Sequence, residues 1–363
     1  MKTAIITTTI NVPVLFRDYM KNVKDLGHDC FFVVIGDKKT PAEAKSYCLD
    51  LGKEFDLPMT FLDVADQEEY LNKHPELGAH LTWNSIQRRN IGLVIAYEQG
   101  AEQIITIDDD NFFVSDDFVM HHSVGQSKDI EILSTKSGWL NVCNFLTEKY
   151  NRPFYHRGYP LEQRFADEEP TTARVNGNVV VNAGFWFGDP DIDALTRIYY
   201  FNKPIEAVAY ERGGHFALAH GTWSPFNSQN TSLAREIIPA YFLSPYIGRY
   251  DDIWAAYVIK RISDHLGDYI TFGDPVVKQE RNVHNYWKDL AQEDKGMMLT
   301  TPFVEMLKAI PLSGTTYSGC FKEISDGFKQ KIAEAKISDE HRMFLQKYQE
   351  GMEVWIKTFE GIQ

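Results

Sequence analysis

Three consecutive aspartates, Asp108, Asp109 and Asp110, follow the apolar run IITI. Adjacent like charges at the end of a buried strand repel one another and are costly to remove from water, so they favour a cation opposite them. Carboxylate oxygens are hard ligands, and a site that has few of them suits Mg²⁺ or Mn²⁺ that is also held by a diphosphate. The alternative is that these aspartates cap a turn or the next helix. We predict a divalent-cation site at Asp108 and Asp110.

Two neighbouring arginines, Arg88 and Arg89, lie on the helical segment before the triplet. Neighbours on a helix point about 100° apart, so one arginine can face a cleft and bind a diphosphate or a base while the other faces solvent. The alternative is a solvated helix face. Asp37, which ends the second apolar run, is expected either to contact a base or ribose or to cap a turn.

A second acidic pair, Asp251 and Asp252, opens the helical segment DDIWAAYVIKRISDHLG. One of the two is a candidate N-cap, which leaves the other free to bind sugar hydroxyls or act as a base. Arg249 adds positive charge nearby, unless it forms an ion pair with one of these aspartates. In the segment YHRGYPLEQR, Arg157 and Arg164 flank an aromatic turn on which a sugar ring could stack while a guanidinium binds phosphate.

The elements that must position these residues alternate between strands and helices. Strands are predicted at residues 3–9, 30–37, 58–64 and 102–110, and helices at 13–27, 42–55 and 82–101. This βαβαβαβ order is typical of an α/β fold with a mostly parallel sheet that is covered by helices on both faces. Ligands of such sheets bind at the carboxyl ends of the strands, which is where the acidic triplet falls.

The composition excludes several classes of partner. The chain has 363 residues, a formal charge of -14 and 44% hydrophobic content, so neither nucleic acid nor an anionic membrane is the expected partner. The four cysteines form no C-x-x-C pair, which favours a reducing compartment over a disulfide framework. The first residues read as a strand and not as a signal peptide, and no apolar run reaches the roughly 18 residues of a membrane span. We predict a cytosolic protein.

We expect the chain to divide into a catalytic domain and a helical tail. Residues 1–295 are the predicted catalytic domain, with a nucleotide-binding half at 1–118 and a sugar and acceptor half at 119–295 that is rich in aromatic, Gly, Pro and Asn residues. Residues 296–363 are a predicted C-terminal helical extension, with helices at 321–336 and 339–362. We assign this extension to packing or to self-association as a homo-oligomer.

Four motifs, taken together and in this order, resemble the reversibly glycosylated polypeptides, the UDP-arabinopyranose mutases best known from plants. The motifs are IITIDDDNFFVSDD, RGYPLEQR, NAGFWFGDPDIDA and IGRYDDIWAAYVIKRISDHLG, within roughly residues 1–290. The resemblance implies a GT-A glycosyltransferase fold, whose hallmark is an Asp-x-Asp after the fourth strand, UDP-sugar substrates, and a divalent cation that is usually Mn²⁺. It also implies that Arg157 of the R-G-Y-P motif accepts the sugar reversibly, with Arg164 as the second arginine of that motif.

The resemblance gives the site residues their expected roles. The cation would bridge Asp110 and the two phosphates, while Arg157 and the Asp251 and Asp252 pair hold the freed sugar as its ring size changes. Because an arginine is protonated near pH 7, a neighbouring aspartate would have to take its proton. The UDP-sugar itself is expected to contact Thr8, Asp37, Arg88, Arg89, Asp108, Asp109 and Arg249.

Two other functions stay open from the sequence. One is a GT-A glycosyltransferase that moves a sugar from a UDP-sugar to an external glycan, lipid or small-molecule acceptor. The other is a non-catalytic scaffold that binds nucleotide sugars and assembles a complex through its C-terminal helices.

The chain departs from the family's pattern after Pro275. Gln279 stands where the pattern has a histidine, and His284 follows five residues later. His284 is therefore the candidate third metal ligand, beside the alternative that it is a structural histidine. Residues 200–245 also match the family weakly, so the natural sugar need not be arabinose.

Overall fold

The structure is a computed structural model that describes residues 1–166, 168–281 and 285–362. Its centre is one mixed sheet with twelve strands in the described residues. The strands are β1 (Thr3–Thr8), β2 (Cys30–Ile35), β3 (Met59–Leu62), β4 (Gln103–Ile107), β5 (Asn111–Phe113), β6 (Gln126–Ser134), β7 (Leu146–Glu148), β8 (Thr171–Gly188), β9 (Ala207–Tyr210), β10 (His215–Leu218), β11 (Asn230–Ala234) and β12 (Tyr269–Gln279). The α-helices are α1 (Phe16–Leu26), α2 (Glu43–Phe55), α3 (Val64–Leu71), α4 (Pro75–His80), α5 (Arg89–Glu98), α6 (Phe118–His121), α7 (Ala194–Tyr199), α8 (Asp251–Leu266), α9 (Tyr286–Ala309), α10 (Tyr317–Glu334) and α11 (Asp339–Glu360).

The first four long strands form the parallel part of the sheet. They lie in the order β3-β2-β1-β4, and each neighbouring pair is parallel. Nearly every residue of β1, β2 and β4 is buried, as expected for strands covered on both faces. The predicted α/β class is confirmed, and the acidic triplet directly follows β4.

Beyond β4 the sheet becomes mixed, and its strand pairing builds the site. β11 is antiparallel to both β4 and β8, whereas β12 is parallel to β8. Gln279, the last residue of β12, pairs with Asn111 of β5 on one side and with Gly188 of β8 on the other. The segments that follow β4, β8 and β12 therefore meet at one point of the sheet edge.

The predicted helices are confirmed with shifted ends. The helix closed by Gly27 is α1, and the helix closed by Gly267 is α8; both glycines have the left-handed backbone that favours glycine at a helix C-terminus. The helix predicted at 82–101 is shorter, because α5 begins only at Arg89, after a 3₁₀ turn at Ile86–Arg88. The sequence interpretation did not include α3 and α4, which lie between β3 and α5.

The C-terminal helices pack onto α8. Trp254 of α8 stacks on Phe303 of α9 with ring centroids 4.0 Å apart, and the Tyr348 ring of α11 lies 5.3 Å from that of Trp254. The predicted boundary between residues 295 and 296 falls inside α9, which runs without a break. Of the helices described, none is long and apolar enough to cross a membrane.

Candidate active site

Two cavities lie on either side of the acidic triplet. The outer cavity, of about 540 Å³, opens at the carboxyl ends of β1 and β2. The inner cavity has about 200 Å³. The outer cavity is lined by Thr8, Thr9, Ile10, Ile35, Gly36, Asp37, Asn84, Ser85, Ile86, Arg88, Asp109, Asn285, Lys288, Asp289 and Gln292. The inner cavity is lined by Ile86, Asp108, Asp110, Arg157, Asp191, Ser228, Gln229, Arg249, Asp251, Asp252, Gln279 and Arg281.

The outer cavity contains buried polar atoms that have no partner within the described residues. The Thr8 hydroxyl oxygen and the Arg88 Nη2 are both buried there without a hydrogen bond. The Arg88 guanidinium stacks on the Trp83 ring at 3.5 Å, and its Nε donates to Gln67 Oε1 at 2.5 Å. Asp37 has a structural role, because its carboxylate accepts the backbone N–H groups of Asn84 and Ser85 at 2.8 and 3.1 Å. Arg88 and Thr8 therefore offer donors for a ligand.

The expectation that one of the paired arginines faces solvent is wrong. Arg88 and Arg89 are 2% and 1% exposed, because groups from other segments of the chain enclose each guanidinium. Burial lowers the pKa of Arg88 to about 10. Arg89 does not line either cavity; its Nη2 donates to Asp108 Oδ1 at 2.6 Å and its Nη1 to the Ser228 carbonyl oxygen at 2.7 Å. Arg89 thus positions Asp108 and does not face the ligand space.

The three consecutive aspartates face different cavities. Asp109 lines the outer cavity, where its Oδ2 accepts from the Thr9 hydroxyl and from Asn11 Nδ2, while Asp108 and Asp110 line the inner cavity. Burial raises the pKa of Asp109. Burial and then the charge of Asp108 raise the pKa of Asp110 to about 6. The triplet therefore forms the boundary between the two cavities and carries negative charge on both sides.

Arg157 lies on the wall of the inner cavity, where carboxylates hold it on two sides. Its Nε and Nη2 donate to the two oxygens of Asp191, each at 2.9 Å, and its Nη1 lies 3.1 Å from Asp252 Oδ1. Nη1 also donates to the Arg249 carbonyl oxygen. Burial acts to lower the pKa of Arg157, but Asp191 and Asp252 hold it well above its usual value. In this arrangement Arg157 is a fixed cation.

Asp251 and Asp252 both line the inner cavity, and neither caps α8. The N-cap is Tyr250, which makes no side-chain capping bond, so the expectation that one aspartate serves as the cap is wrong. Asp252 Oδ2 accepts from the Ser228 N–H at 3.0 Å. Asp251 Oδ2 accepts from Gln87 Nε2 at 2.7 Å. Burial, and next the charge of Asp252, raise the pKa of Asp251 to about 7. The Asp251 carboxyl can therefore hold or release a proton near neutral pH.

Arg249 lines the inner cavity, whereas Arg164 lines neither of the two. The Arg249 Nε donates to Glu293 Oε1 of α9 at 2.8 Å, so its ion-pair partner is not one of the two aspartates that follow it. Arg164 donates to Asp193, the N-cap of α7, and its guanidinium lies 5.0 Å from the Tyr155 ring. The structure thus does not bring Arg164 together with Arg157.

The sequence interpretation missed two charged residues of the inner cavity. Asp191 is fully buried and accepts from Arg157, and Arg281 Nη2 lies 3.4 Å from Asp191 Oδ1. The Arg157 and Arg281 charges outweigh the effect of burial and hold the pKa of Asp191 well below its usual value. The signal for Asp191 is present in the motif GDPDID, since it supplies carboxylates directly after a long strand.

The carboxylate oxygens of the triplet are the type of ligand that a hard divalent cation prefers. Asp108 and Asp110 both line the inner cavity, where Asp110 Oδ1 accepts a long hydrogen bond from Gln279 Nε2 at 3.3 Å. Within residues 1–166, 168–281 and 285–362, no group of three or more His, Cys, Asp or Glu residues could hold a metal ion by itself. His284, the predicted third ligand, lies outside the described residues.

Comparisons with known proteins identify the family of this chain. The model of the family "Reversibly glycosylated polypeptide" matches residues 4–363. Similar proteins are the probable UDP-arabinopyranose mutase 2 of Solanum tuberosum, 28% identical over 71% of this chain and 67% of that one, and UDP-arabinopyranose mutase 1 of Arabidopsis thaliana, 27% identical over 71% and 69%. A mannosyltransferase structure from Pyrobaculum calidifontis covers 98% of this chain and 85% of its own at 10% identity, but its TM-score of 0.39 is too low to carry an inference. The chain belongs to the reversibly glycosylated polypeptide family.

Proposed function

We propose that this protein is a UDP-sugar mutase that binds its substrate together with a divalent cation and changes the ring size of the sugar without an external acceptor. This is the type of activity stated in the names of its relatives. The observation that carries the proposal is the pair of cavities that meet at the acidic triplet. A nucleoside in the outer cavity and a sugar in the inner cavity would place the diphosphate at Asp108, Asp109 and Asp110.

The outer cavity suits the nucleoside because its free donors match carbonyl and hydroxyl oxygens. The buried Arg88 Nη2 and the Thr8 hydroxyl can each donate to such an oxygen, which would satisfy polar atoms that are otherwise costly to bury. Asp109 lies on the same wall, where its carboxylate can accept from a ribose hydroxyl.

The inner cavity suits a single sugar ring because it is small and polar. Carboxylates of Asp251 and Asp252 and the side chains of Ser228 and Gln229 line it, and hydroxyl groups can both donate to and accept from this set. The cation would be held by Asp108 and Asp110, and when bound it would neutralise negative charge on the leaving diphosphate. Arg89 keeps Asp108 in place for that role.

The two neighbouring aspartates support different parts in proton transfer. Asp252 is already held by Arg157 and Ser228, whereas Asp251, with a pKa of about 7, can hold or release a proton at working pH. Arg157 can accept a sugar, as the family resemblance implies, only after it loses a proton and at least one of its contacts with Asp191 and Asp252. Until then its charge orients Asp252 and the sugar oxygens beside it.

The test follows the sugar in the absence of any acceptor. UDP-arabinopyranose is incubated with the protein and Mn²⁺, and the ring forms are separated by chromatography. We expect interconversion that is lost in Asp110→Asn and on addition of a chelator. Asp116→Asn is the matched control, because Asp116 follows the triplet closely but its side chain is 91% exposed and lines neither cavity.

Three results would contradict the proposal. Turnover that survives chelation would show that the reaction needs no divalent cation. UDP binding without any turnover would favour the scaffold function. Sugar that leaves UDP only when a glycan, lipid or small-molecule acceptor is added would favour the external transferase. The cytosolic location and self-association remain predictions from the sequence.

A further inference from the structure

A third cavity of about 430 Å³ lies beside the inner cavity, and the proposed mutase reaction assigns it no role. We call it the lysine cavity, after Lys149, Lys203 and Lys278. Its other charged lining residues are Asp189, Glu206 and Glu280, and the Tyr150 ring also lines it.

The lysine cavity lies next to the inner cavity, at the ends of β8 and β12. Gln279 lines both cavities. Asp189, which lines the lysine cavity, lies 3.7 Å from the Nε of Arg281, which lines the inner cavity. A ligand in the lysine cavity would therefore be separated from the sugar site by little more than one layer of side chains.

The charges in the lysine cavity are balanced, which favours a neutral ligand. Lys149 pairs with Glu206 at 2.8 Å and Lys278 with Glu280 at 2.7 Å, and both pairs are about half exposed. Three lysines and three carboxylates line the cavity, and the third carboxylate, that of Asp189, pairs with Arg197 at 2.6 Å. Because most of these charges already have partners in the protein, the described lining offers no cluster of cations for an anion such as a second nucleotide. It offers alternating donors and acceptors, which is the set that several sugar hydroxyls can satisfy at once.

One exposed aromatic ring, that of Tyr150, lines this cavity, and the other members of a group that we call the aromatic rim lie on segments next to it. Tyr150, Tyr199, Phe201 and Trp287 are 53%, 79%, 65% and 71% exposed, and they make up four of the six strongly exposed aromatic side chains of the described residues.

Contacts of neighbouring side chains place the segments of the rim beside one another. Phe201, which precedes the lining residue Asn202, contacts the ring of Tyr286 at 6.2 Å, next to Trp287. The Arg152 guanidinium lies 4.9 Å from the Tyr150 ring, and the same side chain contacts Tyr200, the neighbour of Tyr199. Clustered exposed aromatic residues beside a polar cavity indicate a binding site, since single exposed rings are scattered on ordinary surfaces.

We propose that the lysine cavity and its aromatic rim bind a neutral oligosaccharide with one end directed towards the inner cavity. The ring faces of the rim stack against the C–H faces of the sugars, while the paired lysines and carboxylates bind the hydroxyls. This site goes beyond the proposed mutase reaction, which needs no acceptor. Its test contains no UDP-sugar, so the result does not depend on that reaction.

The test measures binding of maltopentaose, cellopentaose and xylopentaose by saturation-transfer NMR and calorimetry. We expect at least one of them to bind, and the double substitution Tyr150→Ala with Phe201→Ala to weaken that binding about tenfold through the loss of two stacking rings. Met343→Ala removes a side chain that is 63% exposed on α11 and should bind like the unaltered protein. Circular dichroism and the unfolding midpoint verify that the double variant is folded.

Two outcomes would overturn the proposal. The first is that the folded double variant binds the oligosaccharide as tightly as the unaltered protein. The second is that none of the three oligosaccharides binds. If light scattering then shows that the double variant loses an oligomeric state, the rim is an interface between copies of this chain.

Discussion

Replacing Asp251 with asparagine should remove a pH dependence from the folding stability. The Asp251 side chain is buried at the start of α8, where it accepts from Gln87 and lies beside the ion pair of Asp252 and Arg157. Burial, followed by the charge of Asp252, raises its pKa to about 7. Near neutral pH the folded protein therefore binds a proton here that the unfolded chain has released.

The size of the effect follows from the two pKa values of Asp251. In the unfolded chain an aspartate titrates near 3.9, so the folded state binds this proton more tightly by about three pKa units. The stabilisation is fully present below the unfolded pKa and is lost as the pH rises through the folded pKa. Between about pH 5 and about pH 9 the unaltered protein should lose about 3 kcal/mol of unfolding free energy at this position.

Urea denaturation followed by tryptophan fluorescence measures this loss in matched proteins. Asparagine keeps an oxygen that accepts from Gln87 but carries no charge, so the Asp251→Asn protein should lose about 3 kcal/mol less than the unaltered protein over the same pH range. Asp116→Asn, at an exposed site, should follow the unaltered protein. Parallel curves for Asp251→Asn and the unaltered protein would mean that Asp251 is ionised throughout, and the reasoning from burial would fail.

Three further substitutions test how the site is held together. Gly158→Ala should lower the unfolding free energy, measured in urea, by about 1–3 kcal/mol. The reason is that Gly158 has φ +84° and that a Cβ there would lie 2.2 Å from Ile253 Cγ2. An unchanged urea midpoint would show that the R-G-Y-P loop can move away from α8. Asp191→Asn should cost about 3 kcal/mol by the same measurement because it leaves Arg157 partly unpaired, and a neutral effect would mean that Asp252 alone suffices. Arg88→Lys should weaken UDP binding about tenfold in calorimetry, and equal affinity would exclude a specific bond from Nη2.

Local patterns predicted the parallel half of the sheet and its acidic edge. Strands such as β1 and β2 are continuous apolar runs between helices that end at recognisable residues, so periodicity along the chain is enough to find them. The triplet could be placed at a strand end for the same reason. The acidic pair at the start of a helix and the arginine beside an aromatic turn pointed to Asp251, Asp252 and Arg157, all of which line the inner cavity, and the family resemblance added their expected roles.

Long-range pairing accounts for what the sequence did not reveal. Asp191 and Arg281 reach the cavity because β8 and β12 run parallel although about ninety residues separate them, and no local pattern encodes that register. Arg89 was expected at the ligand or in solvent, but it is buried because Asp108, which follows β4, and Ser228, which precedes β11, accept hydrogen bonds from it. The ion-pair partner of Arg249 likewise comes from α9, far along the chain.

The charge balance of the inner cavity explains why a cation should accompany the diphosphate. Five carboxylates and three guanidinium groups line the cavity; they belong to Asp108, Asp110, Asp191, Asp251 and Asp252 and to Arg157, Arg249 and Arg281. Arg249 is paired with Glu293, and Arg157 and Arg281 are both paired with Asp191. Each of the three guanidinium groups therefore already has a carboxylate partner before any phosphate binds. Even with Asp251 neutral, the lining that a diphosphate meets in this cavity would have a net negative charge. A divalent ion at Asp108 and Asp110 would reverse that sign locally, so UDP should bind weakly to the metal-free protein and affinity should rise with added Mn²⁺.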